Sequence, residues 1–199
     1  MPQQPSFNQA VMKDLAGYLT QEQIRKIYHA CSLLRDQTLI RVLWKSGRRI
    51  SEVLQLQVRD ISFEEKRILW NILKKGRPYR VWKPIDTKTL ELLAYYVTKA
   101  ELSDREHLFH TGYPEKPMTR QRAFQIVRKA CKVAGIDTVG DSKPHPHHFR
   151  HSFAIDMAKK LKSPADVSKL QKYMEHSNLG ATQVYLQFND SEMGELLED

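Results

Sequence analysis

The sequence predicts an α+β fold that is mainly α-helical and contains a small antiparallel sheet of three strands. Apolar residues recur with the spacing of amphipathic helices over residues 20–56 and again after Asp86. Between these regions, residues 61–85 change to the alternating pattern of strands, with turn-forming residues at Lys75-Gly76-Arg77-Pro78. A hairpin with a short third strand, set inside a helical chain, accounts for both patterns.

The helices before the sheet are recognised by their ends. Thr20 and Gln23 have the spacing of a capping box at the start of the first helix. A second helix is predicted over residues 36–46, with Gly47 as its stop, and a third over residues 50–56. Strands are predicted over residues 68–73 and 80–84, and the third short strand near residues 58–63.

Helical periodicity returns after the sheet. One apolar stripe contains Leu90 and Leu93, and another contains Ala123, Ile126 and Ala130. Further helices are predicted to run from Pro146 to residue 161, from Pro164 to residue 174, and as short turns over residues 179–186.

The composition fits one ordinary domain. The chain has 199 residues, of which 41% are hydrophobic, and its mean hydropathy is −0.56. The sequence contains neither an apolar run of membrane-spanning length nor a recognisable secretion signal, so a cytoplasmic location is expected. The two cysteines, Cys31 and Cys131, fall on apolar stripes and are predicted to be buried, reduced thiols.

The charge points to an anionic partner. Lys and Arg total 32 against 23 Asp and Glu, which gives a formal net charge of +9. Nucleic acid is the leading candidate, because cationic side chains that bind its phosphates release the counterions held there. A solvated basic face without a partner is the alternative.

The most informative segment is PHHFRHSFA, which begins at Pro146. His147 and Arg150 are three residues apart and share one helical face, which continues into the apolar Phe153. We therefore expect a partly buried Arg150 that needs an anion, either a phosphate near the helix N-terminus or a structural carboxylate.

The histidines of this segment also raise the hypothesis of a metal site. His145, His147, His148 and His151 are the candidate ligands. No cysteine or carboxylate lies near them in the sequence, and the charge of Arg150 would repel a cation. The sequence therefore favours a site without metal or other cofactor.

Four motifs together resemble the phage integrase, or tyrosine recombinase, family. His147 to Ala154 resembles the HxLRH-[ST]-FA signature, and Met174-Glu175-His176 with Tyr185 nine residues later resembles the Leu-Gly-His…Tyr box. Residues 46–52, SGRRISE, resemble the Thr-Gly-x-Arg-x-Ser-Glu box, and Lys75 matches the hairpin lysine. The motifs occur in the order of the family and cover residues 19–185.

The resemblance implies the fold of a DNA breaking-and-rejoining catalytic domain and a role for each residue. Tyr185 would attack a phosphodiester and form a 3′-phosphotyrosine, assisted by His147. Arg49 and Arg150 would bind the non-bridging oxygens, because their planar donors fit phosphate. Lys75 would protonate the leaving 5′-oxygen, and His176 would donate a hydrogen bond to the phosphate.

Each of these residues also has an ordinary structural explanation. Tyr185 would be a half-buried helix aromatic, His176 a helix cap, Lys75 a turn lysine, and Arg49 a partner of Glu52.

The sequence departs from the family pattern at specific positions. Arg48 stands where the family usually has an apolar residue, so either Arg48 or Arg49 is the phosphate ligand, and we prefer Arg49. Lys74 and Lys75 are adjacent, and we prefer Lys75 as the hairpin lysine. Glu175 replaces a glycine, and its carboxylate must point away from a phosphate or pair with a cation. Trp82-Lys83 makes the end of the second long strand irregular.

The resemblance leads to the following predictions. Residues 1–18 are a loose extension, 19–188 the catalytic domain and 189–199 an acidic tail; many family members have a further N-terminal domain, so the chain is either a fragment or a minimal recombinase. The function is site-specific cleavage and rejoining of double-stranded DNA by a self-associating, tetrameric enzyme. The alternatives are an inactive DNA-binding regulator, a type IB topoisomerase-like enzyme and a partner-binding helical protein. Further contacts with the DNA phosphates are expected from Lys74, Arg77, Arg80, Arg120 and Arg122.

Overall fold

The computed structural model describes residues 17–73, 78–161 and 163–174. Three helices precede the sheet in these parts of the chain: α1 (Gln21–His29), α2 (Leu34–Ser46) and α3 (Ile50–Leu54). The strands are β1 (Ile61–Ser62), β2 (Arg67–Ile72) and β3 (Tyr79–Pro84). Four helices follow: α4 (Thr87–Lys99), α5 (Arg120–Val133), α6 (Pro146–Ala158) and α7 (Pro164–Met174).

The predicted fold class is confirmed, and so is the capping box of α1. Thr20 Oγ1 accepts a hydrogen bond from the backbone of Gln23, and Gln23 Oε1 accepts one from the backbone of Thr20. The sheet has the order β1-β2-β3, and both neighbouring pairs are antiparallel. Trp70 of β2 is completely buried, and it anchors the sheet on the helices.

Several element boundaries differ from the predicted ones. The third strand consists of only Ile61–Ser62, because Val58–Asp60 forms a turn of 3-10 helix. Helix α2 begins at Leu34 instead of residue 36. Helix α3 ends at Leu54 instead of residue 56: the backbone N–H of Leu56 donates to the Val53 carbonyl, three residues back, and the Leu56 carbonyl accepts a hydrogen bond from Leu108.

The end of α6 also differs from the prediction. This helix ends at Ala158, and the backbone N–H groups of Lys160 and Leu161 donate to carbonyls three residues back in a tighter turn. The predicted turn at residues 75–78 lies largely outside the described residues, and the predicted turns over 179–186 lie entirely outside them.

Helix α2 is the centre of the helical part. It packs against α1, α4 and α6, and its residues Leu39, Ile40 and Leu43 are completely or almost completely buried. The predicted thiols are confirmed: Cys31 and Cys131 are buried and free, and burial raises their pKa values to about 11 and about 12. Both thiols are therefore protonated at neutral pH.

A second, small apolar cluster joins α6 to α7. It consists of Phe153 and Ala154 from α6 with Leu170 and Met174 from α7. Gly47 ends α2 in the left-handed conformation, with φ of 60°, and a Cβ atom there would lie 2.3 Å from Phe153 Cδ1. The chain therefore needs glycine at position 47 both for its backbone conformation and for the contact with α6.

Gly47→Ala is expected to destabilise the protein much more than Gly135→Ala. Both glycines have positive φ, which costs an alanine about 1–2 kcal/mol. A Cβ at Gly135 meets nothing within 4 Å, whereas at Gly47 the clash with Phe153 adds about 1–3 kcal/mol. Urea denaturation of the two variants measures the difference, and equal losses in the free energy of unfolding would contradict the packing argument.

Candidate active site

The turn between α2 and α3 supplies the first site residue. Arg49 is half-exposed, and its Nη1 donates to Glu52 Oε1 at 3.1 Å. The backbone N–H of Arg49 donates to Glu52 Oε2, also at 3.1 Å, and the Glu52 side chain is completely buried. The pair with Glu52, the ordinary alternative for Arg49, is therefore formed, and the half-exposed guanidinium is held by a buried carboxylate.

Arg150 comes from α6 and lies beneath this turn. It is 4% exposed, as expected for the face that continues into Phe153. Its Nη1 donates to the carbonyl of Gly47 at 2.6 Å, and its Nη2 donates to the carbonyl of Met174 at 2.9 Å. Arg150 thus binds backbone carbonyls of the turn and of the end of α7.

The charge of Arg150 survives this burial. Desolvation, followed by the charge of Arg49, lowers the pKa of Arg150 to about 10, and the Glu52 carboxylate opposes that shift. The side chain therefore stays cationic at neutral pH. A guanidinium has more N–H donors than the two that bind the carbonyls, so Arg150 keeps donors for a further acceptor.

His147 lies on the exposed side of the first turn of α6. Desolvation by the surrounding protein lowers its pKa, and the charges of Arg150 and Arg49 lower it further. The structure therefore brings three predicted residues into one electrostatic group: Arg49, His147 and Arg150. Within it, the imidazole is neutral at neutral pH and able to accept a proton.

Two of the four candidate histidines form the N-terminal cap of α6. His145 Nδ1 accepts a hydrogen bond from the backbone N–H of His147, and His148 Nδ1 accepts one from that of His145, each at 3.2 Å. His148 Nε2 lies 3.2 Å from Ser142 Oγ, and the rings of His145 and His148 stack with centroids 3.8 Å apart. The Nδ1 atoms of both rings are thus engaged in capping the helix.

Arg48 has a different environment from Arg49. It is 1% exposed, and its Nη2 donates to the carbonyl of Tyr173 at 2.5 Å. Its guanidinium lies over the rings of Trp70 and Tyr173, at 5.5 and 5.1 Å from their centroids. Of the two adjacent arginines, Arg49 has the more accessible side chain, which supports the preference stated from the sequence.

Several predicted residues lie outside the described part of the chain. They are Lys74, Lys75, Arg77, Glu175, His176 and Tyr185. Their assignments stay predictions. Met174, the last described residue before Glu175 and His176, lies in the small cluster with Phe153 and binds Arg150 through its carbonyl.

The remaining predicted phosphate contacts lie on exposed surfaces. Arg120 and Arg122 are exposed in the first turn of α5, where Arg122 Nη1 donates to Gln125 Oε1 at 3.2 Å. The Arg80 side chain is half-exposed on β3 and forms an ion pair with the buried Asp60. Arg80 is therefore held by a carboxylate, whereas Arg120 and Arg122 belong to a basic helix surface with Arg128 and Lys129.

Two contributions to this site go beyond the sequence prediction. Glu52 is not among the predicted site residues, although its position three residues after Arg49 is that of a helix-capping carboxylate. The burial of Arg48 has no local signal, because its neighbours Trp70 and Tyr173 come from distant parts of the sequence.

The sequence model of the phage integrase family matches residues 17–192. The chain belongs to the phage integrase family. The match begins four residues before α1 and extends beyond the predicted Tyr185, so it includes every element described above.

Individual family members support the assignment. The chain is 27% identical to the tyrosine recombinase XerA of Pyrococcus horikoshii, over 96% of this chain and 64% of that protein. It is 30% identical to a tyrosine recombinase of Pseudothermotoga lettingae, over 93% of this chain and 61% of that protein. This family member therefore spans less than two thirds of the length of these relatives.

Solved structures of other members share the fold. A crystal structure of XerA recombinase aligns with a TM-score of 0.70 and 22% identity, over 98% of this chain and 65% of that one. XerH recombinase, in a post-cleavage complex with palindromic difH substrate, also aligns with a TM-score of 0.70 and 22% identity, over 92% of this chain and 53% of that one. In the described part of this family member, every helix falls short of the length and apolar character needed for a bilayer span.

Acidification is expected to destabilise the protein through His148. Desolvation, and then the nearby His145, lower the pKa of His148 from 6.5 to about 4. Between these two values the unfolded chain binds a proton that the folded chain does not. The free energy of unfolding therefore falls as pH decreases through this window, by about 3 kcal/mol at most.

Urea denaturation at pH 7 and pH 5 checks this expectation. His148→Gln keeps a side-chain acceptor at the position where a capping box normally has Gln, and it removes the titration. This variant should lose less stability on acidification than the wild type, whereas the exposed control His29→Gln should lose as much. Equal losses in the wild type and His148→Gln would contradict the role of His148.

Proposed function

We propose that this protein cleaves and rejoins DNA at specific sites through a covalent 3′-phosphotyrosine intermediate. The observation that carries the proposal is the grouping of Arg49, His147 and Arg150, two cations beside a neutral imidazole at a helix N-terminus. Family membership and the names of the relatives, which are tyrosine recombinases, support the same activity.

The three described residues suit the electrostatic part of this reaction. A phosphodiester in transfer develops negative charge on its non-bridging oxygens, and fixed guanidinium donors stabilise that charge without reorganising. The buried Glu52 keeps Arg49 in place, and two backbone carbonyls keep Arg150 in place. The dipole of α6, whose positive end is at this N-terminus, adds a favourable field.

The remaining residues complete a balanced reaction. The Tyr185 hydroxyl loses its proton to His147, and its oxygen attacks phosphorus. The bond to the 5′-oxygen breaks, and Lys75 gives that oxygen a proton. His176 donates a hydrogen bond to the phosphate. Rejoining is the reverse attack by a 5′-hydroxyl, and the phosphotyrosine conserves the bond energy, so no nucleotide cofactor enters the scheme.

Double-stranded DNA is the proposed substrate, and the enzyme acts as a self-associated, tetrameric assembly on paired sites. The net charge of +9 supports DNA as the substrate. Neighbouring structures of the same fold include XerH on difH substrate and a lambda integrase dimer on a COC′ core site. In this proposal residues 19–188 form the catalytic domain, between the extension 1–18 and the tail 189–199.

A groove supports the self-association. Its volume is about 820 Å³, and it lies between α2, α6 and α7 with Trp44, Phe153 and Leu170 among its apolar lining residues. Lys and Arg outnumber Asp on the charged part of its lining. Its surface therefore suits the acidic tail 189–199 of a second copy, which also contains Met193, Leu196 and Leu197.

Incubation with a nicked suicide DNA substrate should give a protein–DNA adduct that survives SDS. Tyr185→Phe should abolish this adduct, because the phenylalanine ring has no nucleophilic oxygen. Tyr95→Phe, which removes an exposed hydroxyl from α4, is the matched control and should react like the wild type. Denaturing gel electrophoresis measures the adduct.

The outcomes of this experiment separate the candidate functions. DNA binding by the wild type without an adduct on any site-bearing substrate would favour the inactive regulator. An adduct that persists in Tyr185→Phe would show that another residue is the nucleophile. Relaxation of supercoiled DNA without any site preference would favour the topoisomerase-like activity.

DNA binding by the isolated chain is expected to be weak and strongly dependent on salt. Because phosphate contacts release counterions, affinity should fall by about tenfold or more between 50 and 200 mM salt. Replacing Arg120 and Arg122 with Gln should reduce the slope of log affinity against log salt concentration by about one to two. Lys26→Gln on α1, whose lysine pairs with Glu22, is the control. Tight binding that hardly changes with salt would contradict the expectation.

A further inference from the structure

Arg48 is a buried cation for which the proposed reaction has no role. Its side chain is 1% exposed, so it cannot contact DNA directly. Burying a guanidinium costs free energy unless its donors and its charge are compensated. The groups that compensate this charge therefore show which parts of the protein Arg48 holds in place.

The partners of Arg48 come from the sheet and from α7. Nη2 donates to the carbonyl of Tyr173 at 2.5 Å, and the guanidinium lies over the faces of Trp70 and Tyr173. The Tyr173 hydroxyl donates to the carbonyl of Pro84 at 3.0 Å, which joins the same helix to the end of β3. Arg48 is thus placed between β2 and the last turn of α7.

Arg48 and Arg150 bind consecutive carbonyls at one helix terminus. Arg48 donates to Tyr173, and Arg150 donates to Met174 at 2.9 Å. Each arginine thus connects a carbonyl of α7 to another element, Arg48 from the turn after α2 and Arg150 from α6. The position of this terminus is therefore determined by the turn that also carries Arg49.

We propose that Arg48 is a positioning residue, which holds the Tyr173–Met174 end of α7 against the sheet and against the turn that carries Arg49. This inference rests on the proposed function, because His176 and Tyr185, two of the proposed reacting residues, follow α7 in the sequence. It also gives a reason for the departure at position 48, where Arg48 replaces an apolar residue of the family pattern.

The test compares Arg48→Leu with Arg35→Leu. Arg35 is the matched control, because it is a largely buried arginine whose Nη1 donates to a backbone carbonyl, that of His110, at 2.9 Å. Single-turnover adduct formation at saturating DNA and the Kd for DNA are measured for both variants. Hydrogen exchange monitored by mass spectrometry is measured on the peptides that follow residue 168.

Arg48→Leu should lower the single-turnover rate by about tenfold or more, because small misplacements of a reacting group are costly. Its Kd should stay within about twofold of the wild type, since the loss is in the reaction step and not in binding. Exchange should rise in the peptides after residue 168 and not in α5.

Other results would overturn the proposal. A rate loss in Arg35→Leu as large as that in Arg48→Leu would assign the effect to general destabilisation. A weakened Kd with an unchanged rate would assign Arg48 to DNA binding. If Arg48→Leu does not fold, Arg48→Lys keeps the charge but loses the planar donors, and wild-type rate and exchange in that variant would also count against the proposal.

The experiment keeps the two proposals distinguishable. Absence of an adduct in the wild type is a failure of the proposed function. In that case the hydrogen-exchange comparison between Arg48→Leu and Arg35→Leu still decides whether Arg48 holds the end of α7. Unchanged exchange after residue 168 would refute the positioning role whatever the activity.

Discussion

The buried guanidinium of Arg150 is the interaction on which the rest of the site depends. Through two hydrogen bonds it joins three segments that are distant in sequence: α6, the turn at Gly47 and the end of α7 at Met174. Each carbonyl would be an unsatisfied acceptor without it, and the guanidinium would be an uncompensated buried charge without them. The same residue therefore organises the fold around the site and keeps a positive charge next to His147.

This arrangement works only because α6 approaches the turn very closely. Gly47 lies against Phe153, and the left-handed conformation of Gly47 directs its carbonyl toward Arg150. The N-terminus of α6 is held separately, by the reciprocal hydrogen bonds of His145 and His148. Helix α6 is thus fixed at its start by its cap and along its length by packing, which limits how far His147 and Arg150 can move relative to Arg49.

The arginines of the site differ in how deeply they are buried and in what they bind. Arg48 and Arg150 are buried and bind carbonyl oxygens, whereas Arg49 remains half-exposed beside a buried carboxylate. Buried charges that bind helix ends contribute to the position of the backbone, while an exposed charge is available to a ligand. The three arginines near the site are therefore not equivalent, although two of them are adjacent in the sequence.

The sequence by itself determined the elements and the family. Helical and strand periodicities, the capping box at Thr20 and the stop at Gly47 are local properties, and local properties decide where elements begin and what type they have. Boundaries were less predictable: α3 ends two residues early, and the chain beyond it is held by a hydrogen bond between Leu56 and Leu108, fifty-two residues away. The motifs containing Arg49, His147 and Arg150 were also readable, because their spacing within each segment is fixed by the chain.

Only the tertiary structure decided the separate roles of these residues. It distinguished Arg48 from Arg49, made Glu52 the support of Arg49, and used His145 and His148 to cap a helix. The last two are contacts between residues three apart, but the burial of Arg48 is not visible locally, since Trp70 and Tyr173 come from other segments of the folded chain. Burial and hydrogen bonding between distant segments, and not residue type, separate the arginine that faces a ligand from the arginines that hold the backbone.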